Sequence, residues 1–152
     1  MLSPKQTSRR VRVEGQIPTE HEMTRSWKPA DYTSVSPYLI TANAGAVIDF
    51  LVSVFRAEPL RRYENDDGSI MHAEVRLDDT VIMIGEAGGQ WPAVPCHIHV
   101  YVPDVDATYS TAVRHGAESV QEPTRRGDDP DRRGGVLDQG GNTWWIGTQT
   151  AG

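Results

Sequence analysis

The sequence predicts an α+β fold built from two paired βαβββ modules, and three observations carry that prediction. Residues Ser36 to Glu86 and Cys96 to Gln149 repeat the same order of patterns. Each copy sets one amphipathic helical stretch between an opening strand and three later ones. The offset between copies drifts only from 60 residues at the opening strands, 37 to 97, to 62 at the closing ones, 83 to 145. One such unit cannot bury its own apolar face and must pair with another. Two units side by side enclose a cleft, and clefts between modules take small molecules.

The first module runs from about 35 to 87 and the second from about 96 to 149. The opening strands are Pro37-Tyr38-Leu39-Ile40 and His97-Ile98-His99-Val100. In the first helix Val47, Ile48, Leu51, Val54 and Phe55 share one face behind a cap at Asn43. The second helix starts behind Asp104, turns Val105, Tyr109, Ala112 and Val113 inward, and stops at Gly116, which suits a left-handed cap. Strands follow from Ala57-Glu58 and Ala117-Glu118. Ile70 to Leu77 alternates, turns at Asp78-Asp79 and returns through Thr80 to Gly85. The last hairpin turns at Asp138-Gln139-Gly140-Gly141-Asn142 and closes on Trp144-Trp145-Ile146-Gly147.

Period-2 alternation then sorts the strand residues by face. Ala73, Val75 and Leu77 face the helix layer, which leaves His72, Glu74 and Arg76 on the other side. Ile98, Val100 and Val102 go to the helix, and His97, His99 and Tyr101 away from it. Trp144 and Ile146 go inward, while Thr143, Trp145 and Gly147 go outward. In a rolled sheet that second face lines a pocket.

Bulk properties exclude several classes. The chain has 152 residues, enough for one domain of this kind, here 31–150. Residues 1–30 have no sustained periodicity and read as a flexible arm, with Met23 an alternative start to Met1. No apolar run approaches the ~18 residues that span a bilayer, and no signal-peptide core is present, so a cytoplasmic protein with no membrane partner is expected. Cys96 is the single cysteine, which rules out an internal disulfide and reads as a structural thiol. A net charge of −6 argues against nucleic acid. The mixed cluster Arg125 to Arg133 reads as a solvated loop, with Asp131-Arg132 anchoring it or Arg132 clamping a ligand carboxylate. Gly134-Gly135 has neither the spacing nor the following helix of a phosphate loop.

The repeat resembles a known family in several stretches: Val35-Ser36-Pro37-Tyr38-Leu39, Met71-His72-Ala73-Glu74, Tyr101-Val102-Pro103-Asp104-Val105-Asp106, and Asp138 through Gly141-Asn142-Thr143-Trp144-Trp145. From Trp27 to Gln149 the chain looks like a member of the vicinal oxygen chelate superfamily, which holds glyoxalase I, bleomycin-resistance proteins and extradiol dioxygenases. It is most similar to the small glyoxalase-like, demethylubiquinone-methyltransferase-like branch. That resemblance implies an eight-stranded, cup-shaped mixed sheet with helices outside, and a homodimer. It also implies metal ligands on the opening and closing strands of each module, which fall here on Ser36 or Pro37, Met83, His97 and Trp145. Only His97 is a competent ligand among them, because proline has no donor atom, a thioether suits hard cations poorly and tryptophan offers only an N–H. No cofactor is therefore expected, and glyoxalase I chemistry on the family's metal site is not expected either.

The functional expectation is a protein that binds a small organic molecule, aromatic ones included, in the cup, with Arg76, Met83, His97, His99, Tyr101 and Trp145 as ligand-binding residues. Trp145 offers a stacking wall, or else a core or interface side chain. Trp91 is a lid or a cover for the sheet edge. The alternative is an enzyme of the lyase, isomerase or extradiol dioxygenase kind. Glu74 is then the base, working with His72, in a setting where Met83 and Trp145 desolvate it and Arg76 opposes that effect. A divalent metal in that alternative would sit on a displaced set of His97, Glu74, His72 and His99.

Overall fold

The computed structural model describes residues 27–150. The expected arm over residues 1–30 falls, for 1–26, outside the described residues. Residues 27–32 belong to a separate N-terminal unit and hold a turn closed by Tyr32 N–H donating to the Pro29 carbonyl at 3.4 Å. All the helices and strands described below lie in residues 33–150.

The first module contains β1 (Tyr38–Thr41), α1 (Ala44–Phe55), β2 (Glu58–Glu64), β3 (Ile70–Leu77) and β4 (Thr80–Glu86). The second contains β5 (His97–Tyr101), α2 (Val105–Arg114), β6 (Glu118–Arg125), β7 (Asp131–Leu137) and β8 (Thr143–Gln149). Eight strands thus form two four-stranded mixed sheets, ordered β1-β4-β3-β2 and β5-β8-β7-β6. In each sheet the opening strand runs parallel to the closing strand and the other pairs are antiparallel. This is the paired-module α+β architecture that the repeat predicts.

Register refines the repeat by one residue. Tyr38 partners Met83 where His99 partners Trp145, so Tyr38 and His99 are counterparts and Ser36, not Pro37, corresponds to His97. A one-residue slip exchanges the faces of a strand. Tyr38 accordingly sits beside Met83 on the face away from α1, while Leu39 is buried.

The helices form for the reasons read from their spacing, with three amendments. On α1 the buried set is Ala44, Val47, Ile48, Phe50, Leu51 and Val54, so Phe50 joins the core and Phe55 packs only partly against it. Asn43 stands at the N-cap in a left-handed conformation (φ 53°) with no side-chain cap bond. Glu86 caps the helix instead, accepting from Asn43 N at 3.2 Å and Ala44 N at 2.7 Å. A carboxylate there satisfies orphan N–H groups and complements the helix dipole. On α2, Asp104 caps through Ala107 N at 3.1 Å and Gly116 follows the end at φ 92°, but Val113 lies outside the core, 41% exposed.

One core serves both modules. Trp144 of β8 is fully buried with Phe50 and Phe55 of α1 at centroid distances of 6.2 and 5.6 Å. Fully burying side chains of this size contributes about 1.5–3 kcal/mol each. The junction is also hydrogen-bonded: Val94 N–H donates to Ile40 O, and Asn142 Nδ2 donates to Thr41 Oγ1 at 3.2 Å. Beneath it lies Asp138, 5% exposed, whose carboxylate accepts from Gly140 N, Asn142 N, Asn142 Nδ2 and Trp144 Nε1 at 2.8–3.2 Å.

Candidate functional site

The faces turned away from the helices carry the polar side chains, as alternation predicts. On the first sheet, Tyr38, His72, Glu74 and Met83 come from three adjacent strands. Glu74 lies opposite Met83 and is 3% exposed. Tyr38 Oη is 2.8 Å from His72 Nδ1, and His72 Nε2 is 3.5 Å from Glu74 Oε1. A phenol, an imidazole and a buried carboxylate thus stand in a row. Arg61 approaches the same Glu74 oxygen at 3.8 Å. Arg76, expected to act on Glu74, ion-pairs with Glu58 of the neighbouring strand at 3.1 Å. Trp145, expected beside Glu74, belongs to the other sheet.

A bulge shapes the rim of that sheet. Tyr63 pairs with His72 and Glu64 with Ile70, which leaves Met71 as the extra residue. The bulge buries Ile70 and leaves Met71 55% exposed. Tyr38, Ile40, Met71, Gly85 and Trp91 line a cavity of about 980 Å³ that also reaches Asp67 and Glu86. Trp91, 62% exposed, is held by reciprocal backbone bonds with Gly88 and forms one wall.

On the second sheet Trp145 and His97 make a flat surface. Trp145 Nε1 donates to His97 Nδ1 at 3.2 Å, and the ring planes are within 9° of parallel. Gly135 lies directly opposite Trp145, and a Cβ there would sit 2.7 Å from the indole. The missing side chain is what lets the ring lie against β7. The glycine pair that lacks phosphate-loop spacing thus makes room for a tryptophan.

Beside this surface the cluster expected to be a solvated loop is in part a built network. Arg133 Nη1 donates to Asp129 at 3.0 Å, Nη2 to Asp131 at 2.9 Å and Nε to His99 Nε2 at 3.1 Å. Tyr101 Oη donates to Asp131 at 2.6 Å, and Asp131 is 6% exposed. Burial, then the Arg133 charge, hold the His99 imidazole below its ordinary range against the opposing pull of Asp131. The hydrogen bond to Asp131, then burial, push the Tyr101 phenol up. Arg132 forms a two-bond ion pair with Asp106 of α2 at 2.9 Å and so ties β7 to that helix. His99, Gln121, Arg126, Arg133 and Trp145 line a cavity of about 380 Å³. Tyr38, Arg61, Gln121, Arg126 and Arg133 are site residues that the sequence reading did not select. Alternation along Asp131, Arg133 and Gly135 was the available signal for Arg133.

The metal-binding alternatives fare poorly on donor chemistry. His72 and Glu74 lie on β3, and His97 and His99 on β5 of the other sheet. Among the described residues no three His, Cys, Asp or Glu side chains are grouped to hold an ion. At the positions implied by the family, the ladders make Ser36 the counterpart of His97, and Trp145 uses its N–H on His97 Nδ1. These residues do not fit a three- or four-ligand divalent site.

Comparison with known proteins agrees with the fold. Residues 30–146 match the model of the Glyoxalase/Bleomycin resistance protein/Dioxygenase superfamily. The uncharacterised protein Mb0911c of Mycobacterium bovis is 33% identical over 127 residues, covering 75% of this chain and 82% of that protein. The fosfomycin resistance protein FosX from Listeria monocytogenes, solved with Mn(II) and sulfate, superimposes with a TM-score of 0.61 at 17% identity, covering 78% of this chain and 90% of that one. TnmS3, an antibiotic binding protein from Streptomyces sp. CB03234, gives 0.59 at 16% identity, covering 78% and 99%. At those identities the structures establish the fold alone, and the family match establishes membership. The chain belongs to the glyoxalase/bleomycin resistance protein/dioxygenase superfamily.

Proposed function

We propose that this protein binds a small organic molecule with an aromatic portion, without a metal ion, on the faces of the sheets turned away from the helices. The observation that carries the reading is the chemistry at the family's ligand positions. Ser36, Met83 and Trp145 supply no ligand set, while Trp145 and His97 supply a flat aromatic surface beside a cavity. The cavities of about 380 and 980 Å³ are of the size that small-molecule sites have. A structural neighbour that is an antibiotic binding protein supports sequestration as a use of this fold. We read the protein as a cytoplasmic homodimer, an assembly that light scattering on the purified chain tests.

The test combines elemental analysis of the purified protein with tryptophan quenching against aromatic compounds, before and after chelation. Binding indifferent to chelator, with no turnover, is the expected result. A stoichiometric bound metal required for binding would overturn the reading. The row Tyr38, His72, Glu74 favours a second reading, metal-free proton transfer in a lyase or isomerase, with Glu74 as base and His72 orienting it. In that case ligand is converted and Glu74→Gln abolishes conversion while leaving quenching intact.

A further inference from the structure

We propose that the second-module cavity selects planar aromatic anions, aromatic carboxylates in the first instance, with the ring on the Trp145–His97 surface and the carboxylate on Arg126. The inference rests on the binding reading above and names the ligand class. Asp129 and Asp131 are both engaged by Arg133, whose third hydrogen bond goes to His99. The Tyr101 hydroxyl adds a further donor to Asp131. Those carboxylates are therefore satisfied and unavailable to a cationic ligand. The backbone N–H of Asp131, then Arg133, lower the Asp129 carboxyl from its ordinary range, and it is paired with Arg133.

Arg126 is different. Its Nη2 donates to Gln121 Oε1 at 2.9 Å, a neutral amide, and among the described residues it forms no ion pair. Gln121 is itself oriented, because its Nε2 donates to the Arg133 carbonyl at 3.2 Å. The amide oxygen is thereby turned toward Arg126 and holds one edge of its guanidinium. An arginine so placed keeps its remaining donors for an incoming group, and its planar fork matches a carboxylate better than an ammonium does.

The aromatic requirement follows from the other wall. An indole N–H lies in the ring plane, so the bond to His97 with near-parallel rings extends one flat surface from Trp145 to His97. One side of that indole is closed by Gly135, whose absent side chain sets its depth. His99 accepts from Arg133 through Nε2, so it enters the cavity as a neutral ring and adds no second cation. One flat apolar surface and one uncommitted guanidinium describe a planar monoanion.

Three probes of one shape test the class on the full chain: 2-naphthoate, 2-naphthalenemethanol and 2-naphthylmethylamine, titrated calorimetrically and by tryptophan quenching. Naphthoate is expected to bind at least about tenfold tighter than the alcohol, as one hydrogen-bonded charge contributes. Arg126→Gln should bring the acid-to-alcohol ratio toward parity, and Arg126→Lys should retain part of the preference. Equal binding of acid and alcohol, a preference for the amine, or an unchanged ratio in Arg126→Gln would overturn the anion assignment while aromatic binding stands. No binding of any probe would overturn aromatic binding in this cavity as well. Circular dichroism of each variant separates lost binding from lost folding.

Discussion

Replacing Asp138 with alanine removes one carboxylate and leaves its donors behind. Gly140 N, Asn142 N, the Asn142 amide and the Trp144 indole all direct hydrogen bonds at it. Trp144 is completely buried and Asn142 is 1% exposed. The Asn142 amide keeps Thr41 as a second partner, whereas the indole N–H and the Asn142 backbone N–H do not gain one. Two buried donors without partners cost about 1–3 kcal/mol each, so Asp138→Ala should lose about 2–6 kcal/mol. A domain of this size has about 5–15 kcal/mol in total, so the loss is a large share of its stability. Asp138→Asn should fall between, because one oxygen is retained while the new NH2 confronts donors. The assay is urea unfolding followed by far-ultraviolet circular dichroism, with the slope held in common. The Trp144→Phe change in each background completes a double-mutant cycle. A loss below about 1 kcal/mol in Asp138→Ala would show that water replaces the carboxylate and that the buried network is not what secures the last hairpin.

Glu86→Ala removes the cap of α1 that Asn43 does not provide, and thermal unfolding should register a loss of about 1 kcal/mol. Gly135→Ala sets a methyl 2.7 Å from the Trp145 ring, so it should cost about 1–3 kcal/mol and shift tryptophan emission as the indole leaves His97. His99 should titrate below an ordinary histidine by NMR, and Arg133→Gln should move that titration upward. The sign for stability follows: as pH falls below about 6.5 the unfolded chain binds a proton that the folded His99 refuses, so stability declines from there toward the folded value.

Most of the fold was legible because the helix and strand periods were clean and the repeat constrained them twice. Trp144 inward and Trp145 outward follow from alternation alone, and Val100 and Ile146 behave likewise. The misplacements have specific causes. The opening strand left Ser36 or Pro37 as the counterpart of His97, and only the β1–β4 ladder selects Ser36 and sets Tyr38 beside Met83. Asn43 carries the composition of a cap, yet a left-handed backbone turns its side chain to Gln139 O and a distant glutamate takes the role. Arg133 was hidden in a run of mixed charge, because composition reports solvation while the network depends on which alternate residues face Trp145. The Glu58 partner of Arg76 was not legible either, because it depends on the β2–β3 register. Long-range partner choice of this kind is not encoded locally.

The junction at Thr41 has a consequence for the order of events during synthesis. The opening strand of the first module meets the last hairpin across 101 residues, through Asn142 and Thr41, and Asn43 meets Gln139 across 96. Gly140 fits there because a Cβ would lie 2.1 Å from Thr41 Oγ1. While the ribosome is still adding residues before Asp138, the first module has its own hairpins and α1 but not Trp144, the ring that covers Phe50 and Phe55. An N-terminal half emerging first therefore waits with apolar surface uncovered. Closing so long a loop is slow because the entropy cost precedes the contacts that reward it. The two modules look like beads that could fold in sequence, but the nascent chain completes its core only when β8 arrives with Trp144.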